Sequence, residues 1–386
     1  VSGFRPQWKE MVYSIVTDRS EGSRIWDIDG NEYVDLVNGF GPIMLGHRPE
    51  FIEKAIREQV HLGFETGPQT PLAGEVAKMF CEMTGNERMA FCNTGSEAVL
   101  AAMRVARTVT GRNKIAMFAG DYHGMFDEVL VKGFRNKAGE PQSAPIAPGI
   151  PRQSVSNMIV LDYGSQESLD WIRMNARDLA AVLVEPVQSR HPDTRPIEFL
   201  KEIRKITEAS DAALIFDEVV TGFRVHQGGC QALFGIRADL ATYGKVVAGG
   251  MPIGVLAGRA RFMDALDGGA WQYGDESYPE VGVTFFAGTF VRHPLAVAAM
   301  KAVLQHFYEQ GPALQERLNE RTTRLVRTLN ETVERHSIPT RIESFGSFFY
   351  FAFPPTERFA SLFYFYMRDK GIHIREGFPC FMTTAH

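Results

Sequence analysis

Short apolar runs that alternate with amphipathic segments constrain this chain more than any other feature of its sequence. "ERMAFCN" precedes "EAVLAAMRVART", "KIAMFAGD" leads into a Pro-rich stretch, and "LAAVLVEPV" precedes "EFLKEIRKITEAS". "AALIFDEVV" and then "DLATYGK" come after. Near-continuous apolar strands separated by helices predict an α/β fold with a mainly parallel central sheet covered on both faces. In such sheets ligands collect at the carboxyl ends of the strands. The conspicuous polar residues fall there: Asn93, Thr94, Gly95 and Ser96, then Asp121, Tyr122 and His123, then Glu185, Asp217, Glu218 and Lys245.

From about Pro294 the pattern changes. "LAVAAMKAVLQHFYEQ" and "LQERLNERTTRLVRTLNETVERH" predict two long helices, "RIESFGSFFYFAF" a strand and "FASLFYFYMRDKG" a further helix. This reads as a smaller α+β domain, joined by an N-terminal hairpin in "RIWDIDGNEYVDL". The expected division is residues 1–45 as a segment contributing to the small domain, 46–293 as the large ligand-binding domain, and 294–386 as a C-terminal small domain truncated at its end. Residues 138–151 ("AGEPQSAPIAPGIP") and 266–282 ("LDGGAWQYGDESYPEVG") are expected to be long loops.

Composition sets the class. The 386 residues are 45% hydrophobic and 23% charged, as in an ordinary globular protein. Lys and Arg total 41 against 46 Asp and Glu, which argues against the clustered basic excess of a nucleic-acid binder. No apolar run approaches the roughly 20 residues of a membrane span. The four cysteines (Cys81, Cys92, Cys230, Cys380) lack CxxC or metal-ligand spacing, so a reducing, cytoplasmic setting without a metal is expected. The chain opens on Val without a signal-like apolar stretch, which reads as a domain excised from a longer protein.

Several strand ends carry chemistry. A lysine in a closed pocket loses its proton more readily and becomes a nucleophile toward aldehydes. Lys245, followed by the flexible Gly249 and Gly250, fits that role, although a solvated end-cap is the alternative. Asp217 ends a strand buried on both faces and needs a cationic or hydrogen-bonding partner. A protonated pyridine nitrogen would serve, as in the pairing of a Schiff-base lysine and an acid around pyridoxal phosphate (PLP). A loop cap or a pair with Arg224 is the alternative. The turn through Gly95 and Ser96 into a helix offers amides to a phosphate, or else a simple Thr94 or Ser96 N-cap. Tyr122 and His123 are either core residues or part of the same site.

With these motifs in hand, the chain resembles class III PLP-dependent aminotransferases of fold type I over essentially its whole length. The resemblance is carried by "WDIDGNEYVDL", "GPIMLGH", "FCNTGSEAVLAAMRVAR", "DYHG", "VEPV", "IFDEVVTGFR", "DLATYGKVVAGGMPIG" and "GTFVRHPLAVAA". It implies that Lys245 joins the cofactor aldehyde and shuttles a proton, and that Asp217 holds the pyridinium nitrogen. It also implies that Tyr122 and Val219 flank the ring, that Gly95 and Ser96 hold the phosphate, and that His123 and Glu185 complete the cofactor site. Thr289 would reach the phosphate across a homodimer boundary, making a second copy part of the site. The cofactor would alternate between PLP and pyridoxamine phosphate.

Within the class the chain is most similar to aminotransferase domains of hybrid polyketide synthase and nonribosomal peptide synthetase assembly lines, and to glutamate-1-semialdehyde aminomutase. The marks are "GPQTPLAGEVAKMFCEMTG", "WQYGDESYPEVGVTFFAGTFVRHPLA" and "REGFPCFMTTAH". That likeness implies amination of a β-ketoacyl thioester on an acyl carrier protein, with a glutamate- or glutamine-like donor. An aminomutase or a free-standing class III ω-aminotransferase is the alternative. Arg19 and Asn38 are the candidates for substrate contact, and no other arginine stands out for a carboxylate. The longer segment around residues 271–280 is expected to reshape the mouth of the site.

Overall fold

The computed structural model describes residues 6–386, so the first five residues of the N-terminal segment lie outside the described residues. In chain order come strands β1 (Thr17–Glu21), β2 (Arg24–Asp27) and β3 (Glu32–Asp35), then helices α1 (Glu50–Leu62) and α2 (Pro71–Thr84). Next are β4 (Arg88–Cys92), α3 (Gly95–Thr110), β5 (Lys114–Phe118), β6 (Val131–Arg135), β7 (Pro141–Pro145), β8 (Met158–Leu161), α4 (Gln166–Asn175) and β9 (Leu179–Val184). They are followed by α5 (Ile197–Ser210), β10 (Ala213–Asp217), α6 (Gly229–Phe234), β11 (Leu240–Gly244), β12 (Gly254–Gly258) and α7 (Ala260–Met263). The chain closes with α8 (Pro294–Gln310), α9 (Ala313–Arg335), β13 (Arg341–Phe345), β14 (Phe348–Ala352), α10 (Ala360–Asp369), β15 (Ile372–His373) and β16 (Cys380–Phe381).

The central sheet has the order β4-β12-β11-β10-β9-β5-β8. It is parallel except at β12, which runs antiparallel to both neighbours. Strands β9 and β10 are buried at every residue, as helices on both faces require. Alternate side chains serve different cores. Leu214 and Phe216 join one cluster, while Ala213 and Ile215 join the other, the two-residue period of a strand.

Local sequence explains how the helices are placed. Thr94 caps α3 by accepting a hydrogen bond from the Glu97 amide at 3.2 Å, and Gly111 ends the helix with φ +67°. In α2, Pro71 occupies the first turn, Thr70 accepts from the Leu72 amide, and Gly85 closes the end with φ +71°. Helix α8 buries Val297, Met300, Val303, Leu304 and Phe307 and packs on α1 and α2.

Two smaller sheets bring the chain ends together. One has the order β1-β2-β3-β15 and pairs Ile372 with Val34 in parallel; the other joins β13, β14 and β16. The segment read as one strand is therefore a hairpin, because Gly346 turns the chain with φ +56° between Phe345 and Phe348. The Pro-rich stretch also departs from the expected loop: β7 pairs antiparallel with β6, with Pro141 and Pro145 at its two ends, where a missing N–H is tolerated. Residues 268–293 hold no helix or strand. Among the described residues no helix is long and apolar enough to cross a membrane.

Candidate active site

The carboxyl ends of β5, β9, β10 and β11 converge, and each contributes an ionisable side chain. After β5, the side chains of Asp121 and His123 are buried; Glu185 follows β9, Asp217 ends β10, and Lys245 follows β11. His123 Nδ1 lies 2.8 Å from Asp217 Oδ2, and His123 Nε2 lies 3.2 Å from Asp121 Oδ2. Asp217 Oδ1 accepts hydrogen bonds from the Val219 amide and from Thr242 Oγ1, both at 3.1 Å. The alternative partner does not operate, since Arg224 bonds elsewhere. Glu185 accepts from the Tyr122 amide at 2.9 Å. Gln188 Nε2 donates to Asp121 at 2.7 Å and to the Ala119 carbonyl at 2.8 Å.

Burial in this group shifts proton affinities in opposite directions. It opposes the His123 imidazolium, but hydrogen bonds and charge from Asp121 and Asp217 outweigh it and raise His123 to about 10. Burial, reinforced by the charges of Asp121 and Asp217, raises Glu185 to about 8. Lys245 falls to about 8, chiefly through burial, with Glu185 and Asp217 pulling the other way and Arg224 adding to the fall. Lys245 also sits at φ +47°, a left-handed conformation uncommon for a residue with a side chain. Such strain concentrates at functional sites.

The backbone around the lysine is built for close approach. A Cβ on Gly41, whose φ is +112°, would meet Phe381 Cε1 at 3.1 Å and Lys245 Cδ at 3.4 Å. A Cβ on Gly95 would meet both γ-methyls of Val219 at 3.0 Å, and one on Gly124 would meet Ser96 Oγ at 2.5 Å. Ser96 Oγ accepts from the Met125 amide at 3.2 Å, which ties the loop after β5 to the start of α3. Arg224 is fully buried without a carboxylate. It donates to the Gly41 carbonyl, to Ser347 Oγ at 2.9 Å and to the Met382 carbonyl at 3.4 Å, so it fastens the Gly41 turn to the C-terminal sheet.

Of the residues singled out in the sequence, the structure brings together Gly95, Ser96, Tyr122, His123, Glu185, Asp217, Val219 and Lys245. Tyr122 keeps 55% of its surface exposed. Asn38 is buried beside this group and donates to the carbonyls of Asp35 and Phe381. Arg19 lies on β1 with its guanidinium 3.7 Å from the Trp26 ring centroid. Thr289 is exposed in the irregular segment before α8. Sequence reading missed the support given by Thr242, Gln188 and Arg224. A threonine within a buried strand and a cation in "TGFR" were the available signals.

A profile of the family Aminotransferase class-III matches residues 4–383. The chain belongs to the class III aminotransferases. This class III aminotransferase is 35% identical to a glutamate-1-semialdehyde 2,1-aminomutase of Archaeoglobus fulgidus, over 100% of this chain and 90% of the relative. It superposes on an omega-transaminase from Sphaerobacter thermophilus with a TM-score of 0.88 and 27% identity, covering 97% of this chain and 87% of the other. A transaminase with PLP bound matches with a TM-score of 0.86 and 30% identity, over 97% and 87% of the respective chains. The protein is thus a PLP-dependent enzyme of fold type I. Its own residues fit that cofactor: a lysine with lowered proton affinity, a buried carboxylate held by three donors, and an open helix start at Gly95 and Ser96.

Proposed function

We propose that this class III aminotransferase relocates an amino group on a carboxylate-bearing amino or oxo compound, in the manner of a glutamate-1-semialdehyde-type aminomutase. The reading rests on one observation above others: a complete lysine–carboxylate–imidazole set in a chain alike, end to end, to such an aminomutase.

PLP, when bound, draws electrons from the substrate carbon that carries the amino group, so a proton can leave that carbon. The remaining work falls to the chain. Lys245 Nζ takes and returns that proton, and its lowered affinity makes the neutral amine accessible near pH 8. Asp217, oriented by the Val219 amide, Thr242 and His123, holds the ring nitrogen in its protonated form. The amides at the start of α3 bind the phosphate, favoured by the helix dipole. Tyr122 and Val219 would flank the ring, and Gly41 lets the Lys245 stem pass. The exposed aromatic residues of 268–293, together with the exposed Thr289, form the surface that a second copy of the chain covers.

The test is incubation of the PLP-loaded protein with glutamate-1-semialdehyde and no external donor. Appearance of the isomer with the amino group on carbon 1 supports the aminomutase. Dependence on added glutamate, with the cofactor converted to its amine form by glutamate alone, supports transfer between two molecules instead. A second reading, amination of a β-ketoacyl chain on a carrier protein, is favoured by a cavity of about 730 Å³ between the N-terminal segment and the C-terminal residues, larger than a five-carbon acid needs.

A further inference from the structure

That cavity lies between the N-terminal segment and the C-terminal unit, and its lining is cationic. Among the described lining residues Arg190, Arg368 and Arg375 stand with one carboxylate, Glu376, and Tyr13 and Tyr350 are on the walls. Two separate regions of the sequence supply them. Arg190 follows β9, Arg368 is in α10, and Arg375 follows β15.

The arginines are positioned without using up their donors. Arg375 Cζ lies 5.1 Å and Arg190 Cζ 5.8 Å from the centroid of the Phe378 ring, so both cations rest on one aromatic. Arg375 also lies 5.5 Å from the Phe40 centroid. Among the described residues neither the Arg190 nor the Arg375 guanidinium enters an ion pair or a hydrogen bond, and both residues line the cavity. Arg368 donates to the Tyr13 carbonyl at 2.6 Å, and its buried Nε has no partner among the described residues. A guanidinium fork matches carboxylate or phosphate oxygens two at a time, which an ammonium cannot do.

Packed residues separate the cavity from the lysine. The Phe40 and Phe378 rings pack at a tilt of 49° with centroids 4.8 Å apart, and the residue after Phe40, Gly41, lies against the Lys245 stem. A second cavity of about 310 Å³, lined by Gly39, Phe40 and His47, shares Arg375 and His373 with the first. Lys245 lines neither cavity. A molecule held in the first cavity therefore has to extend beyond its lining to reach Lys245.

We propose that Arg190, Arg375 and Arg368 form an oxyanion-recognition site that holds a carboxylate or phosphate borne by the substrate at a distance from its reacting carbon. The proposal rests on the amino-transfer reading above and adds the class of group the substrate carries. Two sources share the chemistry: the free carboxylate of a dicarboxylic substrate, and the phosphodiester of a carrier-bound pantetheine arm.

The experiment is calorimetric titration of the PLP-loaded protein with glutarate, 4′-phosphopantetheine and uncharged pantetheine. At least one anion is expected to bind about tenfold more tightly than pantetheine, with R190Q and R375Q each weakening it about tenfold and R375K recovering part of the loss. Preference for 4′-phosphopantetheine assigns the anion to a carrier arm, and preference for glutarate assigns it to a free acid. Equal binding of all three probes, or anion binding unchanged in both glutamine variants that keep the wild-type cofactor spectrum, overturns the site. Anion binding at these arginines without conversion of glutamate-1-semialdehyde keeps the site and removes the aminomutase reading. Conversion without anion binding does the reverse.

Discussion

His123 stands between Asp217 and Asp121, with one ring nitrogen 2.8 Å from the first carboxylate and the other 3.2 Å from the second. One buried imidazole therefore contacts two buried acids and fixes the direction of the one that faces the cofactor site. Fold and chemistry meet at this residue, because its two partners come from the ends of β10 and β5.

Replacing His123 removes a charge-assisted hydrogen bond of the kind worth about 1.5–3 kcal/mol. The H123Q protein is expected to hold PLP more weakly and to turn over about 10- to 100-fold more slowly. Equilibrium dialysis with PLP and steady-state rates check both effects. Unaltered PLP affinity would show that Asp217 needs no such brace.

The same residue makes stability depend on pH. Its affinity in the fold, about 10, lies above the ordinary 6.5, so the folded state holds the proton more tightly than the unfolded chain. The stabilisation is fully present below pH 6.5 and is lost as pH rises through about 10. Urea unfolding at pH 6.5, 8 and 10 should show wild type losing its advantage over H123Q across that window. A constant difference between the two proteins is the contrary result.

Lys245 predicts a midpoint rather than a magnitude. Reductive trapping of PLP on the cofactor-free protein needs the neutral amine, so its rate should rise with pH around a midpoint near 8. A midpoint at the ordinary value of 10.5 would mean that the lysine is not desolvated. In K245A the label and the long-wavelength absorbance of the bound cofactor should both vanish.

The architecture was largely legible because long-range order here follows local pattern. Strands such as "AALIFD" lack polar residues until their last position, so both their burial and the end that carries chemistry could be read directly. Strand β12 was illegible for the opposite reason. Its sequence, "GVLAG", is short and glycine-bounded; a Cβ at Gly254 would meet the Thr94 carbonyl at 2.1 Å and one at Gly258 the Asp239 carbonyl at 2.2 Å. Packing thus selects residues that look like a loop. Arg224, Arg190 and Arg375 were hidden because their partners come from distant parts of the chain. Arg224 reaches Gly41 and Met382, and no spacing in the sequence announces that meeting.

Arg224 is a buried cation whose loss should be felt at Lys245. Burial lowers it to about 9, and it donates to two carbonyls and a hydroxyl instead of to an acid. R224M leaves those acceptors unpaired, at about 1–3 kcal/mol for each one left buried, partly offset by the removal of a desolvated charge. The expected outcome is a lower melting temperature together with an upward shift of the Lys245 trapping midpoint, since the positive charge that disfavours the ammonium is gone. R224K retains the charge and should leave the midpoint near 8 while still losing stability. A midpoint unmoved in R224M would separate the two cations electrostatically.

Gly124 tests whether the start of α3 is held from outside. It has φ +113°, and an added Cβ would fall 2.5 Å from Ser96 Oγ and 2.9 Å from Ser96 Cα. Alanine is strained there on both counts, because the left-handed backbone disfavours a side chain and the obstacle includes backbone that cannot rotate away. G124A should push Ser96 from its place at the first turn and break its bond with the Met125 amide, at a cost of about 1–3 kcal/mol in stability. PLP affinity should fall more than pyridoxal affinity, since the displaced turn is the one that offers amides to the phosphate. Equal losses for the two would place the phosphate elsewhere, whereas a selective loss in PLP binding ties the helix start at Gly95 and Ser96 to that group.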